Sequence, residues 1–217
     1  MNFIQASELK KIFKLLNEAE VNYILMRNLN NEIPSNLIIG KDIDILVKKS
    51  ERNKIIKFLN FNKYKIINHP LKKATYLYGV DKFEFLFNKN NQILFDLNFQ
   101  ISVKSLDFGQ IIPLDQSIQE SAWKNKRLEN LDDGLSYWTF GYEDEFVSLV
   151  ARSIFDKNKF ETNYIERINK IFNLINKEDV IFKLDKVFFK FTSSLIKLIE
   201  DQKYNKIINN YLEFREY

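Results

Sequence analysis

A chain of 217 residues with 45% hydrophobic and 15% aromatic content is long enough to bury a sizeable core and too apolar to be disordered throughout. Its 33 basic and 29 acidic residues leave a formal charge of +4, too small a surplus to mark a nucleic-acid binder. Zero cysteines exclude disulfides, thiolate metal sites and cysteine nucleophiles, and a lone histidine, His69, excludes a histidine cluster for zinc.

No apolar stretch approaches the roughly 20 residues that a membrane-spanning helix needs. The first residues do not form a secretory signal, so the default expectation is a cytoplasmic location. With only five glycines and three prolines, most of the chain should lie in helices or strands.

In chain order, residues 5 to 19 read as an amphipathic helix, with Leu9, Ile12, Phe13, Leu15, Leu16 and Ala19 at helical spacing. Asn22 to Met26 is a short buried strand, and the asparagine-rich stretch from Arg27 to Asn36, which carries Pro34, is a loop. Gly40 to Lys49 follows as a strand, then a helix from Glu51 to Leu59 with Ser50 as its cap, broken at Asn60-Phe61-Asn62. Tyr64 to Ile67, Ala74 to Tyr78, Lys82 to Phe87 and Gln92 to Leu97 are strand candidates, with His69 in a turn between the first two. Turns at Gly79-Val80-Asp81 and Asn88 to Asn91 predict that the last three form a meander.

From Ile101 to Phe140 the signal is weak, with a helix around Gln116 to Trp123 and mixed turns around Asp132-Asp133-Gly134. Beyond Glu143 the period turns helical, over roughly 143 to 156, 162 to 176, 178 to 199 and 203 to 214. The expected architecture is an α/β (α+β) domain over residues 1–140, a mixed sheet with flanking helices, followed by a helical domain over 141–217. Aromatic stripes such as Phe182, Phe188, Phe189 and Phe191 read as core packing of that second half.

The chemistry is concentrated in Gly40-Lys41-Asp42-Ile43-Asp44-Ile45-Leu46-Val47. Strand alternation puts Asp42, Asp44 and Leu46 on one side and the apolar Ile43, Ile45 and Val47 on the other. Two carboxylates so close repel each other and resist burial unless a cation compensates them. Oxygen ligands suit a hard divalent ion such as Mg²⁺, which keeps coordination positions for substrate phosphates. The other reading is an ordinary strand start with two solvated aspartates. Asp96 interrupts the apolar run Ile93-Leu94-Phe95-Asp96-Leu97, either as a third acid for the same ion or as a strand-end residue reaching solvent or a lysine.

A D-x-D strand and a later single-Asp strand in one α/β unit resemble the nucleotidyltransferase superfamily with the DNA polymerase beta-like fold, over about residues 20 to 100. Tyr23 to Asn28, Pro34 and Gly40 to Val47 are similar to uncharacterised bacterial members often associated with surface-polysaccharide genes, as are Tyr142 to Phe146 and Phe155-Asp156-Lys157. The resemblance implies that Asp42, Asp44 and Asp96 hold Mg²⁺ ions and that Asp96 lies beside the attacking hydroxyl. Where the superfamily has a Gly-Gly or Gly-Ser pair that holds the triphosphate, this chain has Arg27 and Asn28, and where it often has Gly-Ser before the first Asp it has Gly40 and Lys41. These four are the candidate nucleotide contacts. Arg27 either offers its guanidinium fork to a phosphate or forms a salt bridge from the loop to an acid. Gly40 either allows close approach to phosphate or serves as a loop glycine, and Lys41 either contacts a phosphate or stabilises the two aspartates.

These readings lead to a Mg²⁺-dependent nucleotidyltransferase acting from a nucleoside triphosphate such as ATP on a small-molecule or glycan-linked acceptor. The replaced glycine pair keeps two alternatives open: transfer of a phosphorylated alcohol from a nucleotide-linked donor, and a non-catalytic binding or regulatory protein of the same fold. Nothing in the sequence decides whether the chain forms a homo-oligomer.

Overall fold

The structure is a computed structural model that describes residues 2–29, 32–131 and 134–214; the turn expected around Asp132-Asp133-Gly134 falls largely outside them. In order, the elements are α1 (Ala6–Glu18), β1 (Tyr23–Leu25), β2 (Asp42–Val47), α2 (Arg52–Phe61), β3 (Lys65–Ile67), β4 (Glu84–Asn88) and β5 (Ile93–Asn98). They continue as β6 (Ser102–Lys104), β7 (Ile111–Pro113), α3 (Gln116–Lys124), β8 (Arg127–Asn130) and β9 (Ser136–Thr139). Five helices follow: α4 (Tyr142–Phe155), α5 (Thr162–Phe172), α6 (Lys177–Phe188), α7 (Thr192–Glu200) and α8 (Tyr204–Glu213). This is the expected mixed sheet with flanking helices, followed by a helical bundle. None of the described helices is long and apolar enough to cross a membrane.

The chain divides into two compact units, Met1–Ile101 with Lys126–Phe140, and Ser102–Asn125 with Gly141–Tyr217. The first holds a seven-stranded sheet in the order β3-β4-β5-β2-β1-β9-β8. Its centre is the parallel pair β2 and β5, flanked by antiparallel β4 and β1. Ile43, Ile45 and Val47 of β2 and Phe95 and Leu97 of β5 are buried in one apolar cluster. Leu9, Ile12, Phe13 and Leu16 of α1 and Ile55 and Leu59 of α2 complete it, which is the helical spacing read from the sequence. Burying these side chains locks the strand register, because a slip of one residue would turn the aspartates of β2 into the core.

Two sequence expectations fail in this unit. Ala74 to Tyr78 is not a strand: the chain makes a 3₁₀ turn at Lys73–Thr75, and the meander is β3-β4-β5 instead. Both edges of β4 are already paired, so the segment has no edge there to join, and Tyr78 lies fully in solvent. The hairpin of β8 and β9 was not expected at all; β9 joins the sheet beside β1 through Leu25 and Thr139, a pairing that spans more than a hundred residues.

In the second unit, β6 and β7 form a small antiparallel pair and α3 starts on Asp115, whose carboxylate accepts the Ser117 N–H. The single helix expected over 178 to 199 is two helices. Phe189 adopts a left-handed φ of +49° and a 3₁₀ turn follows at Phe189–Phe191. That break turns both Phe188 and Phe191 inward onto Tyr211, with ring centroids 5.7 and 5.2 Å away, and leaves Phe189 exposed.

Candidate metal centre

The alternation of β2 and β5 brings the three aspartates together. In the parallel ladder Asp44 is directly opposite Asp96, and Asp42 is two residues earlier on the same face as Asp44. Neighbouring strands lie about 4.8 Å apart, so carboxylates at one register position must meet. One oxygen from each of Asp42, Asp44 and Asp96 lies within 4.8 Å of the other two. Among the described residues this is the one group of three or more acids or histidines placed to share an ion.

The cluster is poorly compensated by the protein. Asp96 is 8% exposed and its Oδ1 is buried with no hydrogen-bond partner. Burial raises its pKa above the ordinary carboxylate value; the charges of Asp44 and Asp42 push the same way, and His69 opposes them. An all-oxygen set of three carboxylates, one with an unsatisfied buried oxygen, fits a hard divalent cation such as Mg²⁺. The triad is capable of coordinating one.

The nearest compensating cation is Arg27. Met26 N–H donates to the Asp44 carbonyl at 3.0 Å, extending the β1 ladder by one residue and delivering Arg27 beside the site. Its guanidinium forms an ion pair with the Asp44 carboxylate. Asn28 is engaged by its own loop and by β9: its amide donates to the Ile33 carbonyl and to the Tyr137 hydroxyl, each at 3.1 Å, and its oxygen accepts the Ile33 N–H at 3.0 Å. Lys41 pairs with Glu32 at 2.6 Å. Gly40 has φ +89°, and a Cβ there would meet nothing within 4 Å, so the glycine is required by backbone conformation and not by crowding.

One neighbour of the triad was missed in the sequence. Register carries a single row across four strands, Ile67 opposite Phe85, Phe85 opposite Asp96, and Asp96 opposite Asp44. His69, two residues past Ile67, folds back along that row: its ring packs against Phe85 at 4.2 Å, and its Nε2 is 3.5 Å from Asp96 Oδ1. The sequence-level signal was only that the single histidine of the chain follows the strand that pairs with β4.

No family model matches the chain, and no curated protein does. Among solved structures, the chain is similar to the lincomycin-bound lincosamide antibiotic adenylyltransferase LnuA, at 16% identity over 80% of this chain and all of that one, with a TM-score of 0.46. It is also similar to the antibiotic-resistance factor ANT(2'')-Ia, at 12% identity over 92% of this chain and 97% of that one, with a TM-score of 0.46.

Proposed function

We propose that the chain is a Mg²⁺-dependent nucleotidyltransferase that moves a nucleotidyl group from a nucleoside triphosphate to a small-molecule or glycan-linked acceptor. The observation that carries this reading is the pairing of Asp44 with Asp96 across adjacent parallel strands, with Asp42 on the same face. Bound there, divalent ions supply positive charge against the triphosphate and the attacking oxygen. Asp42 and Asp44 hold them from β2, and Asp96 holds them from β5.

In the transfer, the acceptor oxygen forms a bond to the α-phosphorus while the bond to pyrophosphate breaks. Asp96, beside the attacking hydroxyl, either lowers the pKa of that hydroxyl through the ion it would hold or takes its proton directly. Arg27 neutralises Asp44 in the resting chain. When the site is loaded its guanidinium turns to a phosphate oxygen, for which its planar fork is suited. Gly40 lets the backbone before Asp42 approach a phosphate closely, and Lys41 reaches one by leaving Glu32. Asn28 acts by holding the loop that carries Arg27.

A panel of nucleoside triphosphates with Mg²⁺ and candidate acceptors tests the reading. Pyrophosphate release is expected from the wild-type chain and none from Asp42→Asn, Asp44→Asn or Asp96→Asn. Equal release by the wild type and all three variants rules it out.

The second reading, transfer of a phosphorylated alcohol from a nucleotide-linked donor, draws on the engagement of Asn28 by Ile33 and Tyr137 and of Lys41 by Glu32, which leaves fewer donors for a triphosphate. Released nucleoside monophosphate in place of pyrophosphate identifies it. A chain that binds neither Mg²⁺ nor any nucleotide by calorimetry is instead the non-catalytic protein.

A further inference from the structure

The geometry points to His69 as a positioning residue for Asp96: a neutral imidazole whose Nε2–H holds one carboxylate oxygen so that the other faces the ion. This rests on the reading of the three aspartates as a metal centre.

The hydrogen bonds decide the chemistry of the ring. The Leu71 backbone N–H donates to His69 Nδ1 at 3.0 Å. That nitrogen therefore carries a lone pair, and a neutral imidazole must then carry its proton on Nε2. Nε2 is the atom 3.5 Å from Asp96 Oδ1, and both atoms are buried without another hydrogen-bond partner. A donor and an acceptor with no other partners thus face each other, a few tenths of an ångström beyond bonding distance. Closing that gap satisfies two buried polar groups at once.

The same tautomer excludes two other roles. With its proton on Nε2, His69 has no lone pair to offer an ion on the side facing the triad. Nor can it accept a proton from a substrate there, because its one basic nitrogen is already taken by the Leu71 N–H. The ring is also fixed in place. The Phe85 ring packs against it, tilted by 58° with centroids 4.2 Å apart, and Phe83 meets it nearly edge-on at 5.9 Å; Tyr76 in turn packs edge-on against Phe83 at 5.4 Å. Phe85 is itself the register partner of Asp96, so the strand that flanks the acid also carries the ring against which its histidine packs. Hydrogen bonds to a ligating group from just outside the ion's own ligands usually change metal affinity by about 10–100-fold.

Because His69 is the only histidine in the chain, its ring nitrogens can be read without assignment in a ¹⁵N-histidine-labelled sample. At mildly alkaline pH, before any metal is added, a protonated Nε2 and an unprotonated Nδ1 are expected, with the Nε2 proton signal shifting in Asp96→Asn. The opposite tautomer overturns the proposal whatever the fate of the metal centre. A second measurement titrates Mn²⁺, as a paramagnetic stand-in for Mg²⁺, into the wild type, His69→Ala and His69→Gln. His69→Ala is expected to bind about 10–100-fold more weakly, and His69→Gln, whose amide N–H can replace the imidazole donor, to recover most of the loss. Wild-type affinity in His69→Ala overturns the positioning role while leaving the metal centre intact. No Mn²⁺ binding by the wild type overturns the metal centre, and the positioning role with it.

Discussion

The two units bury carboxylates in opposite ways. In the helical unit, Asp144 and Lys183 are 1% and 3% exposed and lie 2.9 Å apart. Lys183 also bonds Asp179 at 2.6 Å, and Asp144 accepts the Ser121 hydroxyl at 3.2 Å. Nearby in sequence, Glu145 takes both arms of the Arg167 guanidinium, each at 2.6 Å. Each of these buried acids meets a cation of the protein itself. In the sheet unit three aspartates are clustered; Asp44 pairs with the Arg27 guanidinium, and the buried Oδ1 of Asp96 faces the His69 imidazole at 3.5 Å and not a lysine or arginine. A paired acid holds helices together; an undercompensated cluster is tolerated where something else is to bind.

The difference has measurable consequences. The largest is in the helical unit: Lys183→Met leaves Asp144 buried with only a hydroxyl donor. It is expected to lower unfolding stability by about 3–5 kcal/mol in denaturant titrations. Metal is expected to act only on the sheet unit. Mg²⁺ at a hundred times its dissociation constant should stabilise the wild type by about 2.7 kcal/mol and give Asp44→Asn no such gain, as read by thermal unfolding.

In the metal-free chain Asp96→Asn should be more stable than wild type by about 0.5–2 kcal/mol, because it removes one of three repelling charges. Each kcal/mol appears as about 2–4 °C in melting temperature for a chain of this size. A large loss of stability in that variant would show Asp96 to be a structural acid, like Asp144.

The smallest effect is the pH dependence of that same pair. Burial and its acidic neighbours raise the Asp96 pKa in the folded state. The group's contribution to stability is therefore fully present below the ordinary carboxylate value and is lost as pH rises through the elevated one. Measured without metal, the stability advantage of Asp96→Asn should widen as pH is raised across that window and level off above it. A constant gap at all pH values would mean that Asp96 titrates normally.

Legibility followed the range of the interactions involved. The faces of β2, the helical stripe of α1 and the charge at Asp96 were readable because each follows from the period of one element. That the acids of β2 and β5 meet depends on the parallel register of Asp44 with Asp96, which no local pattern encodes. The same holds for β9 beside β1 and for His69 against Phe85. At Ala74 to Tyr78 the alternation was strand-like but the sheet had no free edge on β4 to receive it. Within 178 to 199 the helical period ran through a break that is set by packing on Tyr211.

The most direct test of the metal centre is the electron paramagnetic resonance of Mn²⁺ added to the metal-free wild type and to the triple variant Asp42→Asn, Asp44→Asn, Asp96→Asn. Loss of the free-ion signal in the wild type, with none in the triple variant, is the expected result. Indistinguishable titrations, with the variant shown to be folded, would contradict it.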